Sequence, residues 1–132
     1  MKMSRIRKNK QQQGQGLVEF TLVSILLVLL LFGIIQYGFI FAAYITVRNA
    51  SAVGVRQLVI DKTAVSTAQT VAKNSVAPML TPSRATATAN TTNVSGTTAQ
   101  MMTVSYNLPL IFGFVVPGTN NTFTLTATTV LR

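Results

Sequence analysis

The side chains that most often carry acid–base, nucleophilic or metal chemistry are scarce in this chain of 132 residues. It contains no histidine and no cysteine, and its only carboxylate side chains are Glu19 and Asp61. These two acids are far apart in sequence, and nothing in the pattern orients a serine or a lysine as a nucleophile. The absence of His and Cys removes the commonest metal ligand, the commonest general base and any disulfide framework. We therefore expect no enzymatic activity, no catalytic residues, no metal site and no cofactor.

Glu19 stands at the start of a long apolar segment. Residues 20–47 contain no ionisable group except tyrosine phenols. A bilayer core of about 30 Å needs roughly 20 helical residues, so this segment is long enough to span a membrane. Two interpretations of Glu19 remain open. It is either a solvated first-turn acid favoured by the helix dipole, or an acid that must meet a cation when packed helices exclude water.

The distribution of positive charge predicts the orientation of this segment. The net charge is +9, but five of the eleven cations precede residue 14, namely Lys2, Arg5, Arg7, Lys8 and Lys10. Only Arg48 follows the apolar run closely. The positive-inside rule then keeps the N-terminus in the cytoplasm and places the C-terminus outside the cytoplasmic membrane. Because topology accounts for the basic cluster, we expect no nucleic-acid binding.

Two short motifs on this segment carry a resemblance to a known family. Residues 14–20 read GQGLVEF, with a glutamate five residues after a glycine that follows a basic segment, and residues 32–38 read FGIIQYG. The first motif resembles the leader junction of type IV pilin-like proteins. Together the two are similar to the TadE-like pilins of tight-adherence (Tad) pilus systems. Many members carry a glutamate where this chain has Gln36, so no charge-based role is transferred to that position.

The resemblance implies roles for several residues. A prepilin peptidase would cut between Gly14 and Gln15, and Glu19 and Phe20 would serve assembly, with the Glu19 carboxylate pairing with the new α-amino group at Gln15, commonly of a neighbouring subunit. The implied partners are that peptidase, other pilin subunits, the inner-membrane assembly platform and membrane lipid. Tad major pilins are usually much shorter and have Glu-Tyr at the position of Glu19-Phe20. The resemblance therefore favours a minor or priming subunit in adhesion or secretion, located in the cytoplasmic membrane or in an extracellular pilus.

Alternatives to this processed pilin remain open. The basic N-terminus is either a cleaved leader or a permanent cytoplasmic tail, and in the second case the chain is an unprocessed single-pass anchor whose outer part binds a partner. A signal peptide cut after Ala43 would instead release a soluble binding module, although the apolar region is about twice the usual length for such peptides.

The predicted fold class is α+β, a long N-terminal helix that is transmembrane in its first half, followed by a small β-hairpin or antiparallel sheet. We assign a leader to 1–14, a transmembrane helix to 15–47, its extracytoplasmic continuation to 48–77, a loop with a short strand to 78–100 and the hairpin to 101–132. Small and apolar residues at helical spacing form a shallow stripe, which predicts that the helix continues to near Val76 and ends before Pro78. The residues of this stripe are Val53, Ile60, Ala64, Ala68 and Val71.

Two alternating segments predict the strands of the hairpin. Residues 102–108 and 123–129 alternate apolar or small side chains with polar ones, which is typical of half-buried strands. The segment 109–118 between them reads PLIFGFVVPG and is too apolar for an ordinary exposed turn. Its residues Ile111, Phe112 and Phe114 either form a folded cover that is buried on the head's own helix or dock on another pilin or on the outer leaflet.

Overall fold

The computed structural model describes residues 8–111 and 122–132, with side chains described from Gly14 onward. Helix α1 (Lys8–Ile60) is followed by helix α2 (Val65–Asn74), a single 3₁₀ turn (Pro82–Arg84), and strands β1 (Ala85–Val94), β2 (Thr97–Pro109) and β3 (Thr122–Leu131). Internal contacts divide the chain between Ile35 and Gln36 into an N-terminal unit and a larger unit, residues 36–132, called the head below. The predicted α+β class is confirmed.

The N-terminal unit contains the most apolar part of α1. From Leu17 to Ile35 its large aliphatic side chains and Phe20 are between 45% and 73% exposed, so the described residues form no core that covers them. The hydroxyls of Thr21 and Ser24 donate hydrogen bonds of 2.8 Å to carbonyls of the preceding helical turn. Of the described residues, Gly14 to Ile60 form a helix long and apolar enough to cross a membrane. A helix that exposes apolar side chains and satisfies its own polar groups suits a lipid environment.

The head contains a three-stranded antiparallel sheet with the strand order β1-β2-β3. Strands β1 and β2 are joined by the two-residue turn Ser95-Gly96, and both residues have positive φ, 51° and 78°. Positive φ at both central residues is the requirement of a type I′ hairpin turn, which matches the twist of the flanking strands. The register pairs Ala85 with Tyr106, and Tyr106 with Leu125.

One face of the sheet packs against the two helices and forms the core of the head. Strand β2 supplies the largest inward side chains, Met102, Val104, Tyr106 and Leu108, as its alternation predicts. Helix α2 buries Ala68 and Ala72, while α1 contributes Ala43, Val47, Ala50, Val55 and Leu58. Small residues dominate the helical side, so helices and sheet approach closely. A Cβ built on Gly54 would lie 2.7 Å from the Ala72 Cβ.

The predicted end of the long helix near Val76 is wrong. Helix α1 ends at Ile60, where the Asp61 carboxylate accepts hydrogen bonds of 2.6 Å from the Thr63 hydroxyl and 2.9 Å from the Thr63 N–H. These bonds hold the pKa of the exposed Asp61 carboxyl below its ordinary value. The turn lets the separate helix α2 pack against β1. The predicted stripe is correspondingly interrupted, because Ala68 is buried but Ile60 is 80% exposed.

The predicted loop at 78–100 is also wrong in its main part. Residues 85–94 form β1, and residues 97–100 begin β2, so the hairpin predicted at 101–132 corresponds to two of the three strands of the sheet. The Ala-Thr alternation of β1 points its alanines toward the helices: Ala85 is buried, and Ala87 and Ala89 pack against the core. Alanine has weak β propensity, which is why composition alone favoured a loop.

Gln36, the first residue of the head, has a buried polar side chain, and the sequence analysis did not predict its burial. Its side chain is 1% exposed, and neither its Nε2 nor its Oε1 has a hydrogen-bond partner among the described residues. An unsatisfied buried amide costs about 1–3 kcal/mol, whereas an apolar group of similar shape costs little. We therefore expect Gln36→Met to raise the free energy of unfolding of the head by about 1 kcal/mol.

Thermal unfolding of the full chain in detergent, followed by near-UV circular dichroism of the tyrosines, tests this expectation. Tyr37→Phe is the matched control, because Tyr37 is the next residue on α1 and is exposed. A lower melting temperature for Gln36→Met would contradict the prediction, since it would mean that the amide makes a hydrogen bond with a group outside the described residues.

Candidate functional site

The candidate processing and assembly residues lie together near the start of α1. Gly14, Gln15, Glu19 and Phe20 are all helical and all exposed. A Cβ built on Gly14 or on Gly16 meets no atom within 4 Å. Among the described residues, nothing packs against either glycine, so a small substitution there disturbs none of the described contacts.

The two glycines also determine how firmly this part of α1 is held. A glycine inside a helix costs about 1 kcal/mol relative to alanine, and Gly14 and Gly16 are separated by a single residue. Local opening of a helix requires less free energy where propensity is low and no tertiary contact has to be broken. The Gly14–Gln15 peptide bond thus lies in one of the most easily opened turns of α1.

Glu19 has no cation to pair with in the part of the chain that the structure describes. No hydrogen bond or ion pair of its carboxylate is present there. Along α1 the neighbouring basic residues are Lys10, in the basic segment that cleavage after Gly14 would remove, and Arg48, at the far end of the apolar segment. The α-amino group that cleavage after Gly14 would create lies four residues before Glu19. Residues four apart lie on the same face of a helix, so this amine is the nearest cation that the mature chain could offer.

A second feature is the side of α1 that the head leaves uncovered. Tyr37, Phe41, Tyr44 and Ile45 are exposed, whereas Ala43 and Val47 of the same helix are buried, and Tyr37 and Phe41 are the most exposed of the four, at 68% and 66%. We call these four residues the outer helix face. Their spacing of four, three and one residues places them on one side of a helix. Exposed aromatic and aliphatic side chains grouped in this way mark an interaction surface or a lipid contact.

The sequence analysis did not predict this face. The signal that would have separated the two sides of the helix is the spacing of the small residues. Ala43, Ala50 and Gly54 follow each other at intervals of seven and four and all face the core. An all-apolar run conceals such a pattern unless residue size is compared as well as polarity.

The predicted docking loop is described only at its first residue. Ile111 is 60% exposed at the end of β2, whereas Phe112 and Phe114 lie outside the described residues. The choice between a cover for the core and a docking segment therefore stays a prediction. The buried Leu110 next to Ile111 shows that the core reaches at least to the start of this loop.

Comparison with known proteins places the candidate site inside a family motif. Residues 14–56 match the model of the family described as TadE-like protein. The match begins at the candidate cleavage glycine and includes Glu19, Phe20 and the whole outer helix face. It confirms the resemblance inferred from the GQGLVEF and FGIIQYG motifs. No curated protein and no solved structure matches the chain.

Proposed function

We propose, because residues 14–56 match the TadE-like family, that this chain is a pilin-like structural subunit of a Tad pilus. In this proposal it inserts into the cytoplasmic membrane with its N-terminus inside, is cut after Gly14 by a prepilin peptidase and then joins or primes a filament that serves adhesion or secretion. The observation that carries the proposal is the match of residues 14–56 to the family, which falls on helix α1 and includes its exposed apolar part from Leu17 to Ile35. The proposal assigns no enzymatic activity to the chain.

The exposed part of α1 supports membrane insertion before assembly. The segment from Leu17 to Ile35 contains 19 residues and is about 28 Å long at 1.5 Å per residue. This length matches a hydrocarbon core of about 30 Å. The next residue, Gln36, is already covered by the head, and Ala43 and Val47 lie in its core. We therefore propose a membrane span of 17–35, shorter than the 15–47 that hydropathy alone suggests.

Assembly would use two surfaces of α1. The apolar segment 17–35 leaves lipid and packs against the same segment of other subunits, which exchanges one apolar environment for another. The outer helix face, which begins at Tyr37 in the head, offers a second contact surface. Glu19 is the single charged residue in the packed segment, and pairing with the α-amino group of Gln15 would offset the cost of removing its carboxylate from water.

The identity of the chain within the pilus is part of the proposal. Residues 36–132 form a head with its own core and a three-stranded sheet, so most of the chain lies outside the segment that packs in the filament. A large head and the Glu19-Phe20 pair both support a minor or priming role rather than that of the bulk subunit.

Processing is tested by determining the mass and the N-terminal sequence of the protein purified from cells that contain its own peptidase. We expect a mature chain that starts at Gln15. Gly14→Ala should leave the chain starting at Met1, because a peptidase pocket shaped for glycine rejects the added methyl group. The substitution does not disturb the protein itself, since nothing lies within 4 Å of the new Cβ.

Gly16→Ala is the matched control, because it adds the same methyl group to an equally open position of the same helix. It should still yield a chain that starts at Gln15. A wild-type chain that starts at Met1 would instead support a permanent single-pass anchor whose head binds a partner. A start at Tyr44, after Ala43, would indicate a released binding module.

A further inference from the structure

The sheet of the head ends on both sides in a long edge strand. Strands β1 and β3 each contain ten residues, whereas strands of globular proteins usually contain about five or six. With the strand order β1-β2-β3, no other strand of the described residues lies beside the outer side of β1 or of β3. Every second residue of an antiparallel ladder points its N–H and C=O away from its partner, so about five residues of each edge strand offer these groups to a further strand.

Neither edge has the features by which proteins usually prevent the addition of a strand. Natural edges are protected by charged side chains, by proline, by bulges or by being short. Strand β1 reads ATATANTTNV and strand β3 reads TFTLTATTVL, so neither contains a charged residue or a proline. Both pair with β2 in an unbroken register of ten residues, without a bulge. Two unprotected edges of this length indicate that the sheet is built to be extended.

The sheet face opposite the helices shows how an extension would fit. Residues paired across the three strands form two rows of hydroxyl side chains on this face, Thr86-Ser105-Thr126 and Thr88-Thr103-Thr128. The hydroxyl oxygens of Thr103 and Thr128 are 3.0 Å apart, and those of Ser105 and Thr126 are 3.2 Å apart. Each row ends in a threonine at both edges. A hydroxyl donates one hydrogen bond and can accept two, so these threonines can continue the row into another sheet of the same kind.

The symmetry of a filament determines which edges can meet. Successive subunits of a filament are related by a repeated rotation and translation, so each contact joins two different surfaces of the chain. Strands β1 and β3 are two such surfaces. Both are antiparallel to β2 and therefore run in the same direction. A second copy placed beside the first with the same face outward sets its β1 parallel to the β3 of the first.

We propose that β3 of one copy pairs in parallel with β1 of a second copy of this chain, so that the heads of neighbouring subunits form one continuous sheet. Alignment of the hydroxyl rows places Thr128 of the first copy beside Thr88 of the second. On the inner face it places the larger Leu125 beside the small Ala85. The pairing rests on the proposed function and deepens it, because copies of this subunit then stand next to one another in the pilus.

Disulfide cross-linking tests this pairing directly, because the chain contains no cysteine of its own. Thr88→Cys and Thr128→Cys are combined in the full chain, in cells that assemble the pilus, and sheared pili are oxidised and separated without reductant. Both positions are exposed. We expect dimers, trimers and larger multimers, since each copy uses both edges. Within one chain the two positions are two strand spacings apart, about 9.6 Å, which is beyond the reach of about 7 Å for a disulfide.

Three controls separate this contact from other arrangements. Thr88→Cys alone and Thr128→Cys alone should remain monomeric, and a dimer of Thr128→Cys alone would overturn the proposal in favour of a twofold contact between two β3 edges. Thr70→Cys combined with Thr128→Cys is the matched control pair, because Thr70 is exposed on α2 and not on an edge strand. Multimers of this control pair equal to those of the test pair would show random collision and would also overturn the proposal.

Charge substitutions at the same two positions provide a second measurement. Like charges directly opposite on neighbouring strands are destabilising, and opposite charges are stabilising. Thr88→Lys combined with Thr128→Lys should therefore enter pili about two- to fivefold less than Thr88→Glu combined with Thr128→Lys. Exchanging the two charges, with Thr88→Lys and Thr128→Glu, should give the higher level again. Equal incorporation of all three variants would contradict the pairing.

Failure of this proposal is distinguishable from failure of the proposed function. Recovery of the wild-type chain in sheared pili reports on the proposed function without reference to the sheet edges. If the chain and its double cysteine variant are present in pili but no multimers form, only the edge pairing is wrong. If the wild-type chain is absent from pili, both proposals are wrong.

Discussion

Replacing Gly54 with valine is expected to lower the free energy of unfolding of the head by about 3 kcal/mol, the upper end of the range for overpacked cores. A Cβ at this position would lie 2.7 Å from the Ala72 Cβ and 3.0 Å from the Met102 Cγ. Ala72 cannot yield, because its Cβ is fixed to the backbone of α2, and valine adds two further methyl groups. For a unit of this size the melting temperature should fall by about 12–24 °C, measured on the full chain in detergent.

Gly38→Ala is the matched control, because it adds a methyl group to α1 where nothing lies within 4 Å. It should leave the head as stable as the wild type or up to about 1 kcal/mol more stable, through helix propensity alone. A melting temperature of Gly54→Val equal to that of the wild type would disprove the close approach of α1 and α2.

A double-mutant cycle identifies the contact responsible. Gly54→Ala and Ala72→Gly exchange the methyl group between the two facing helices. The pair should be more stable than the sum of the single effects by about 1 kcal/mol, since Ala72→Gly removes the atom that the new methyl group would strike. Strict additivity would show that the two positions do not touch.

Replacing Glu19 with alanine is expected to leave membrane insertion and cleavage intact and to reduce incorporation of the chain into pili by about 100-fold or more. Removing one partner of a buried ion pair costs about 3–5 kcal/mol, because the other charge stays buried and unpaired. Here the remaining charge is the α-amino group at Gln15. The measurement is the ratio of this chain in sheared pili to that in the membrane fraction, determined by immunoblotting.

Thr21→Ala is the matched control for Glu19→Ala. Thr21 lies two residues away on the same exposed segment, and its hydroxyl already donates to the Leu17 carbonyl of its own helix, so its loss should not affect assembly. Normal incorporation of Glu19→Ala would contradict the ion-pair mechanism, because it would mean that the Glu19 carboxylate of the wild type remains solvated in the assembled state. Loss of cleavage in Glu19→Ala would instead assign Glu19 to recognition by the peptidase.

The candidate processing and assembly site could be proposed from sequence because it depends on local features. The order of basic segment, Gly14, Glu19 and apolar run is contained in neighbouring residues, and the described part of the chain adds no distant residue to it. Strands β2 and β3 could also be predicted from sequence, because residues 102–108 and 123–129 alternate with the period of a pleated strand. Strand β1 was not predicted, although the Ser95-Gly96 dipeptide indicated it, since Ser-Gly between two alternating segments favours a hairpin turn.

The sequence by itself determined that this protein has an apolar helix long enough for a membrane, no His or Cys chemistry, and a sheet at its C-terminus, since each follows from composition or from a local period. Only the tertiary structure decided where α1 ends, which side of α1 the head covers, and that β1 and β3 form the two edges of the sheet. A helix that is apolar on all sides contains no period from which a buried side can be chosen. That choice depends on whether the facing residues are small enough for close approach, as Gly54 and Ala72 are, and this depends on contacts between segments far apart in the chain.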